Sequence, residues 1–136
     1  MDVEAVSRHL QGSIPGLLAI YLFGSYVSGD FHAGSDLDIA VLLSGKGDPL
    51  MLWRISGEVA DIVAVPVDLV DLRAASTVMQ YQIVITGQLL WAKDSAAKLF
   101  ETYVLGQKTA LDTARAGVLE DVQREGVIHG RRCTDK

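Results

Sequence analysis

The residues best suited to chemistry are two aspartates that follow a Gly-Ser pair. Ten residues separate Gly24-Ser25 from Asp36-Leu37-Asp38. On a strand, residues two apart point to the same side, so Asp36 and Asp38 are predicted to present two carboxylates together. Adjacent carboxylates repel each other and raise each other's pKa unless a cation lies between them. Mg²⁺ prefers hard oxygen ligands, so this pair predicts a magnesium site.

The Gly24-Ser25 pair is suited to holding phosphate. It directly follows an apolar run and opens a short predicted helix. Backbone N–H groups at a helix start favour anions. Gly24 lets the chain approach a phosphate closely, and the Ser25 hydroxyl can donate to a phosphate oxygen. We therefore predict nucleotide binding at these two residues.

A third carboxylate is predicted at Asp68. Phosphoryl chemistry that uses two metal ions needs a further ligand or a base. Asp68 lies within the apolar run Val67-Asp68-Leu69-Val70, where a period of two places it on one face with Val70. Asp71, at the end of the run, is better explained as a helix cap. The candidate catalytic and metal-binding residues are thus Asp36, Asp38 and Asp68.

Short apolar runs and cap residues predict the elements that position these side chains. Strands are predicted over residues 17–23, 36–43, 67–70 and 89–91. Helices are predicted after Asp2, after Asp48 with Pro49 in the first turn, after Asp71 as far as about Thr86, and after Asp94. The fold class is a small α/β domain with a mixed sheet of about four strands flanked by helices.

The chain divides into three segments on this reading. Residues 1–93 form the domain core, 94–125 a long C-terminal helix, and 126–136 a flexible tail. The apolar stripe of that helix packs either on its own sheet or on another chain. In the helix after Asp48, the apolar face is assigned to Leu50, Trp53, Val59, Ile62 and Val63, with Trp53 as a packing residue.

Composition excludes several classes of protein. The 136-residue chain carries a formal net charge of -5, which argues against a broad nucleic-acid-binding surface. Its one cysteine, Cys133, suits a reducing compartment. No apolar run reaches the ~18 residues that a membrane helix needs, and no signal segment is evident. We expect a cytoplasmic protein with no membrane or direct nucleic-acid partner.

The combined motif resembles that of the nucleotidyltransferase superfamily related to DNA polymerase β. The similarity rests on Gly24-Ser25, the ten-residue spacer, Asp36-Leu37-Asp38 and the distant Asp68. It covers residues 17–91 and is closest to the minimal, MNT-type branch, which includes the MntA-like antitoxins encoded beside HepT-like toxins of the HEPN class. One departure is Ser28, because many relatives carry an arginine at that position.

The resemblance implies a polymerase-β-like fold and transfer of AMP from ATP with Mg²⁺. Gly24 and Ser25 would hold the triphosphate, while Asp36, Asp38 and Asp68 would be the catalytic, metal-binding carboxylates. The implied acceptor is a tyrosine hydroxyl of a cognate HepT-like toxin, which would be silenced by the modification. Two alternatives stay open: an antitoxin that neutralises by contact alone, and transfer to a small molecule such as an aminoglycoside.

Overall fold

Four strands form one mixed sheet in the order β3-β2-β1-β4. The structure is a computed structural model and describes residues 2–29 and 34–109. The strands are β1 (Leu17–Phe23), β2 (Leu37–Leu43), β3 (Val67–Asp71) and β4 (Gln88–Ala92). β1 pairs antiparallel with both β2 and β4, whereas β2 pairs parallel with β3. The predicted fold class is confirmed, with strand limits within about two residues of those expected.

Helices lie between and after the strands. They are α1 (Val3–Ser13), the single-turn α2 (Ser25–Ser28), α3 (Pro49–Val63), α4 (Thr77–Thr86) and α5, which is described over residues 96–109. The predicted caps Asp2, Asp48 and Asp94 each accept a hydrogen bond from a first-turn N–H group. No helix in the described ranges is both long and apolar enough to cross a membrane.

The two central strands of the sheet, β1 and β2, are buried on both faces. One face packs on α1 and α3 through residues such as Ile20, Ile39 and Val41. The other packs on α4 and α5 through Tyr21, Ala40, Leu42, Ile83 and Phe100. Because both faces are covered, β1 and β2 read as nearly continuous apolar runs. Asp38 interrupts this pattern at the start of β2, which makes it conspicuous in an otherwise buried strand.

The predicted apolar face of α3 is partly wrong. The helix buries Leu52, Ile55 and Val59 against the sheet, whereas Leu50 and Trp53 are 76% and 77% exposed. Residues 50 and 53 form the neighbouring stripe of the helix, which the sheet does not reach. Both stripes are apolar in sequence, and helical periodicity alone does not decide which one is covered.

The helix predicted from Asp71 to Thr86 is in fact two elements. Asp71 caps only a 3-10 turn, Leu72–Ala74, and Ser76 then caps α4 by accepting a bond from Met79 N–H. The described part of α5 packs on the sheet through Ala97, Phe100 and Val104. The expected boundaries of this helix stay a prediction. Its extent to residue 125, the tail and Cys133 lie outside the described residues.

One hydrogen bond ties α5 to the sheet. The buried Tyr21 hydroxyl donates to Glu101 Oε2 at 2.7 Å. Burial, and then Glu101, raise the pKa of Tyr21 well above its usual range. Tyr21→Phe should therefore lower the free energy of unfolding by about 1 kcal/mol, because it leaves the Glu101 carboxylate without this donor. Thermal or urea unfolding measures the loss. Tyr103→Phe is the matched control, since Tyr103 lies on α5 with Glu101 but is 58% exposed. An equal loss of unfolding free energy in Tyr103→Phe would contradict this explanation.

Candidate active site

Strand register brings Asp38 and Asp68 together. β2 and β3 run parallel with Asp38 opposite Asp68, next to the pairs Leu37–Val67 and Ile39–Leu69. Both aspartates lie on the face of the sheet that also carries Ala40 and Val70. Neighbouring strands are ~4.8 Å apart, so the two carboxylates arise close to each other from adjacent backbones. Residues 30 positions apart in sequence are thus neighbours in space.

Asp36, the residue just before β2, is the third member of the acidic group. Asp38 is half-buried, whereas Asp36 and Asp68 are exposed. The pKa of Asp38 is raised, first by burial and then by the negative charges of Asp68 and Asp36. In the described part of the chain, no lysine, arginine or histidine forms an ion pair with any of the three. Within residues 2–29 and 34–109, the site thus concentrates negative charge that no cationic side chain balances.

This donor set fits a divalent cation. All of its ligands are carboxylate oxygens, which is the chemistry that Mg²⁺ prefers, and a cation would relieve the repulsion that raises the pKa of Asp38. Among the described residues, no group of three or more histidine, cysteine, aspartate or glutamate side chains is arranged so that it could hold a metal ion by itself. The three carboxylates lie on one surface. Protein-bound Mg²⁺ usually keeps several water ligands and also binds substrate phosphates, so an incomplete set of protein ligands is sufficient.

Gly24 borders the carboxylates on the β1 side of the site. It precedes α2 with φ 75° and ψ -149°, a backbone conformation that is essentially restricted to glycine. Phe23 pairs with Asp38, so Gly24 follows directly beside that carboxylate. A Cβ atom at Gly24 would collide with the Asp38 carboxyl group. The sequence predicts only that Gly24 lets a phosphate approach; the structure adds that the absence of a side chain makes room for Asp38.

Two hollows flank the carboxylates. A hollow of about 360 Å³ opens on the β1 side, lined by Gly24, Val27, Ser28 and Thr86. A groove of about 540 Å³ lies on the β3 side and includes Asp68 and Trp53 in its lining. A larger cavity of about 750 Å³ lies beyond the C-terminal ends of β2 and β3, and none of the five predicted site residues lines it.

Comparison with known families matches most of the chain. The model of the family described as polymerase beta, nucleotidyltransferase, matches residues 6–96. This stretch contains the Gly-Ser turn and all three carboxylates.

Individual relatives are similar over nearly the whole chain. The protein adenylyltransferase MntA of Shewanella oneidensis is 40% identical over 132 residues, which cover 97% of this chain and 95% of that protein. A crystal structure of a toxin-antitoxin with AMP-PNP superposes with a TM-score of 0.80 at 36% identity, covering 90% of this chain and 99% of the other. A structure of a tri-AMPylated Shewanella oneidensis HEPN toxin in complex with MNT antitoxin gives a TM-score of 0.71 at 35% identity, covering 88% and 94%.

Charge repulsion at the site predicts that removing one carboxylate stabilises the metal-free protein. Asp38→Asn keeps the size of the side chain but abolishes the charge, so its thermal midpoint in EDTA at neutral pH should exceed that of the wild type. Asp61→Asn, an exposed position on α3, is the control and should leave the midpoint nearly unchanged. An equal or lower midpoint for Asp38→Asn would argue against unbalanced charge at this position.

The same substitution should show a defined pH dependence. Because folding raises the pKa of Asp38, the folded state holds the proton more tightly than the unfolded chain does. The charge penalty is therefore complete above the raised pKa and disappears as pH falls below the ordinary value near 4. The gain in stability of Asp38→Asn over the wild type should therefore shrink as the pH falls through this range, as measured by unfolding at several pH values. An advantage that grows as the pH falls would contradict the assigned cause.

The clash at Gly24 predicts a specific stability difference between two glycines. Gly24 and Gly29 both have positive φ, but a Cβ atom at Gly29 would meet nothing within 4 Å. Gly29→Ala should cost only the strain of its αL conformation, about 1 kcal/mol. Gly24→Ala should cost more, because its backbone conformation is more strictly limited to glycine and because the new side chain also displaces Asp38. Chemical unfolding of both variants, repeated in an Asp38→Ala background, tests this account. The excess cost at Gly24 should fall once Asp38 is gone; an unchanged excess would exclude that contact as its origin.

Proposed function

The chain belongs to the polymerase β-type nucleotidyltransferase family, and from that premise we propose that it transfers AMP from Mg²⁺-bound ATP to a HEPN-type toxin. The observation that carries the proposal is the in-register placement of Asp38 beside Asp68, with Gly24 packed against Asp38. The chain is also 40% identical over almost its full length to a protein adenylyltransferase, MntA. It would act as an antitoxin by modifying its partner.

Each residue of the site has a role in this proposal. Gly24 and Ser25 hold the triphosphate, with the Ser25 hydroxyl donating to a phosphate oxygen. Asp36 and Asp38, with Asp68, hold Mg²⁺, which when bound lowers the pKa of an attacking hydroxyl and neutralises charge on the phosphates. Asp68, exposed on the edge strand β3, would accept the proton of the attacking hydroxyl or orient that group. Pyrophosphate then leaves from the Gly-Ser side.

The finer features of the proposal follow from chemistry and from the relatives. ATP is the donor because a similar toxin-antitoxin structure holds its analogue AMP-PNP. The acceptor is a protein hydroxyl because a similar complex contains a tri-AMPylated HEPN toxin. We assign the hydroxyl to a tyrosine. The protein would act in the cytoplasm, which supplies ATP. A chain with a single cysteine forms no internal disulfide and so suits that reducing compartment.

The variant Asp68→Asn separates transfer from mere binding. It preserves side-chain size and removes one of three neighbouring negative charges, so the variant should fold. Transfer should fall about a hundredfold or more, as expected when a base or metal ligand is lost. Intact mass spectrometry of the HEPN toxin encoded beside this gene, incubated with ATP and Mg²⁺, should show additions of ~329 Da per AMP with the wild type only.

Neutralisation in cells completes the test. Cells that express the toxin should survive with the wild type and die with Asp68→Asn, although the toxin and the variant should still be recovered together. Asp61→Asn, with its exposed carboxylate on α3, serves as the charge-matched control and should protect fully. Full protection by Asp68→Asn without added mass on the toxin would favour neutralisation by contact and refute the catalytic proposal.

A further inference from the structure

A groove runs along β3 next to the carboxylates. Its volume is about 540 Å³, within the range of small-ligand pockets. α3 supplies one wall with Leu52, Trp53 and Ser56, and β3 supplies the other with Val67, Asp68 and Leu69. β3 is an edge strand of the described sheet, paired with β2 on one side only. The groove is therefore mainly apolar on the α3 wall and is bordered by an edge strand on the other, and its lining also includes the charged residues Lys46 and Asp71.

The position of this groove matches the direction from which an acceptor must arrive. In nucleotidyl transfer, the attacking and leaving oxygens lie on opposite sides of the phosphorus. Gly24-Ser25 follows β1, Asp38 lies on the central β2, and Asp68 lies on β3. A triphosphate held at the β1 side directs its leaving pyrophosphate away from β3. The nucleophile then enters from the β3 side, where Asp68 borders the groove.

Trp53 is unusual for a residue of its size. Its side chain is 77% exposed, and Leu50, one turn earlier, is 76% exposed. Large exposed aromatic residues beside a groove are typical of binding hot spots. An indole offers a flat surface for another aromatic ring, and aromatic pairs gain stability beyond their buried area. The Ser56 hydroxyl donates to the Trp53 carbonyl at 2.7 Å, which adds a local hydrogen bond beside the groove.

We propose that this groove is the acceptor subsite, in which Trp53 contacts an extended toxin segment that carries the modified hydroxyl. The inference rests on the proposed function and specifies where its substrate binds. An extended segment suits the groove because its backbone can pair along the edge of β3 while alternate side chains enter between β3 and α3. A residue opposite Asp68 on such a segment would lie ~4.8 Å away between backbones, on the side of the carboxylates.

The occupant is a toxin segment because the groove and the acidic group share a residue at the edge of the sheet. Asp68 belongs both to the acidic group and to the groove lining. The groove opens on the α3 side of the sheet, whereas the Asp38 and Asp68 side chains face the other side. A segment paired along β3 would present alternate residues to each side, so it could fill the groove and also reach the carboxylates. A second copy of this protein in the same place would block transfer, so self-association through Trp53 is the competing outcome that the experiment must detect.

Trp53→Ala tests the subsite, because the exposed side chain can be removed without opening the core. Adenylyl transfer is measured with the HEPN toxin encoded beside this gene, at varied concentrations of toxin and of ATP. We expect the KM for toxin to rise about tenfold or more, while the KM for ATP and kcat at saturating toxin stay within about twofold. The Kd for toxin, measured by calorimetry without ATP, should weaken in parallel. Ile85→Ala, at an apolar residue 52% exposed on α4, is the matched control and should change none of these values.

Three results would overturn the subsite. An unchanged KM for toxin in Trp53→Ala would exclude the contact, and an equal loss in Ile85→Ala would show a general effect of apolar surface. A change in oligomeric state, seen by analytical ultracentrifugation, would assign Trp53 to a contact between copies of this chain. If the wild type transfers AMP and Trp53→Ala matches it, only the subsite fails. If the wild type transfers none, the proposed function itself fails.

Discussion

The parallel, in-register pairing of β2 with β3 is the constraint on which the site depends. It places Asp38 opposite Asp68 and, through the antiparallel pairing of β1 with β2, places Gly24 beside Asp38. A slip of one residue would turn every side chain of β3 to the other face and would send Asp68 toward α3. The apolar residues that alternate with the carboxylates fix this register. Ile39 and Leu69, for example, pack on the α1 and α3 side while Asp38 and Asp68 face the other way.

Clustered negative charge opposes folding, and the surrounding core offsets it. Burial and two neighbouring carboxylates raise the pKa of Asp38, so the metal-free site is a source of instability at neutral pH. The remainder of β2 is buried on both faces of the sheet, where each large apolar side chain contributes about 2 kcal/mol. The fold thus holds in place a group of negative charges that a bound cation would stabilise.

Periodicity and cap chemistry made much of this architecture predictable from sequence. The limits of β1 and the caps Asp2 and Asp48 follow local rules, and the structure confirms them. A carboxylate within an apolar strand is costly unless a ligand or solvent stabilises its charge, which makes Asp38 and Asp68 candidates from sequence alone. Three features depend on tertiary contacts that local rules do not contain. These are the exposure of Trp53, the 3-10 turn after Asp71, and the contact that gives Gly24 its second role. The catalytic roles of the five site residues stay predictions.

The location of a bound cation tests the central claim most directly. Crystals grown with Mn²⁺ and a non-hydrolysable ATP analogue allow the metal to be located by anomalous scattering. Mn²⁺ takes the same oxygen ligands as Mg²⁺ and can replace it. The account predicts an anomalous peak within about 2.5 Å of carboxylate oxygens of Asp36 and Asp38, with the triphosphate beside Gly24-Ser25. A well-ordered analogue whose metal peak lies away from these carboxylates would contradict it.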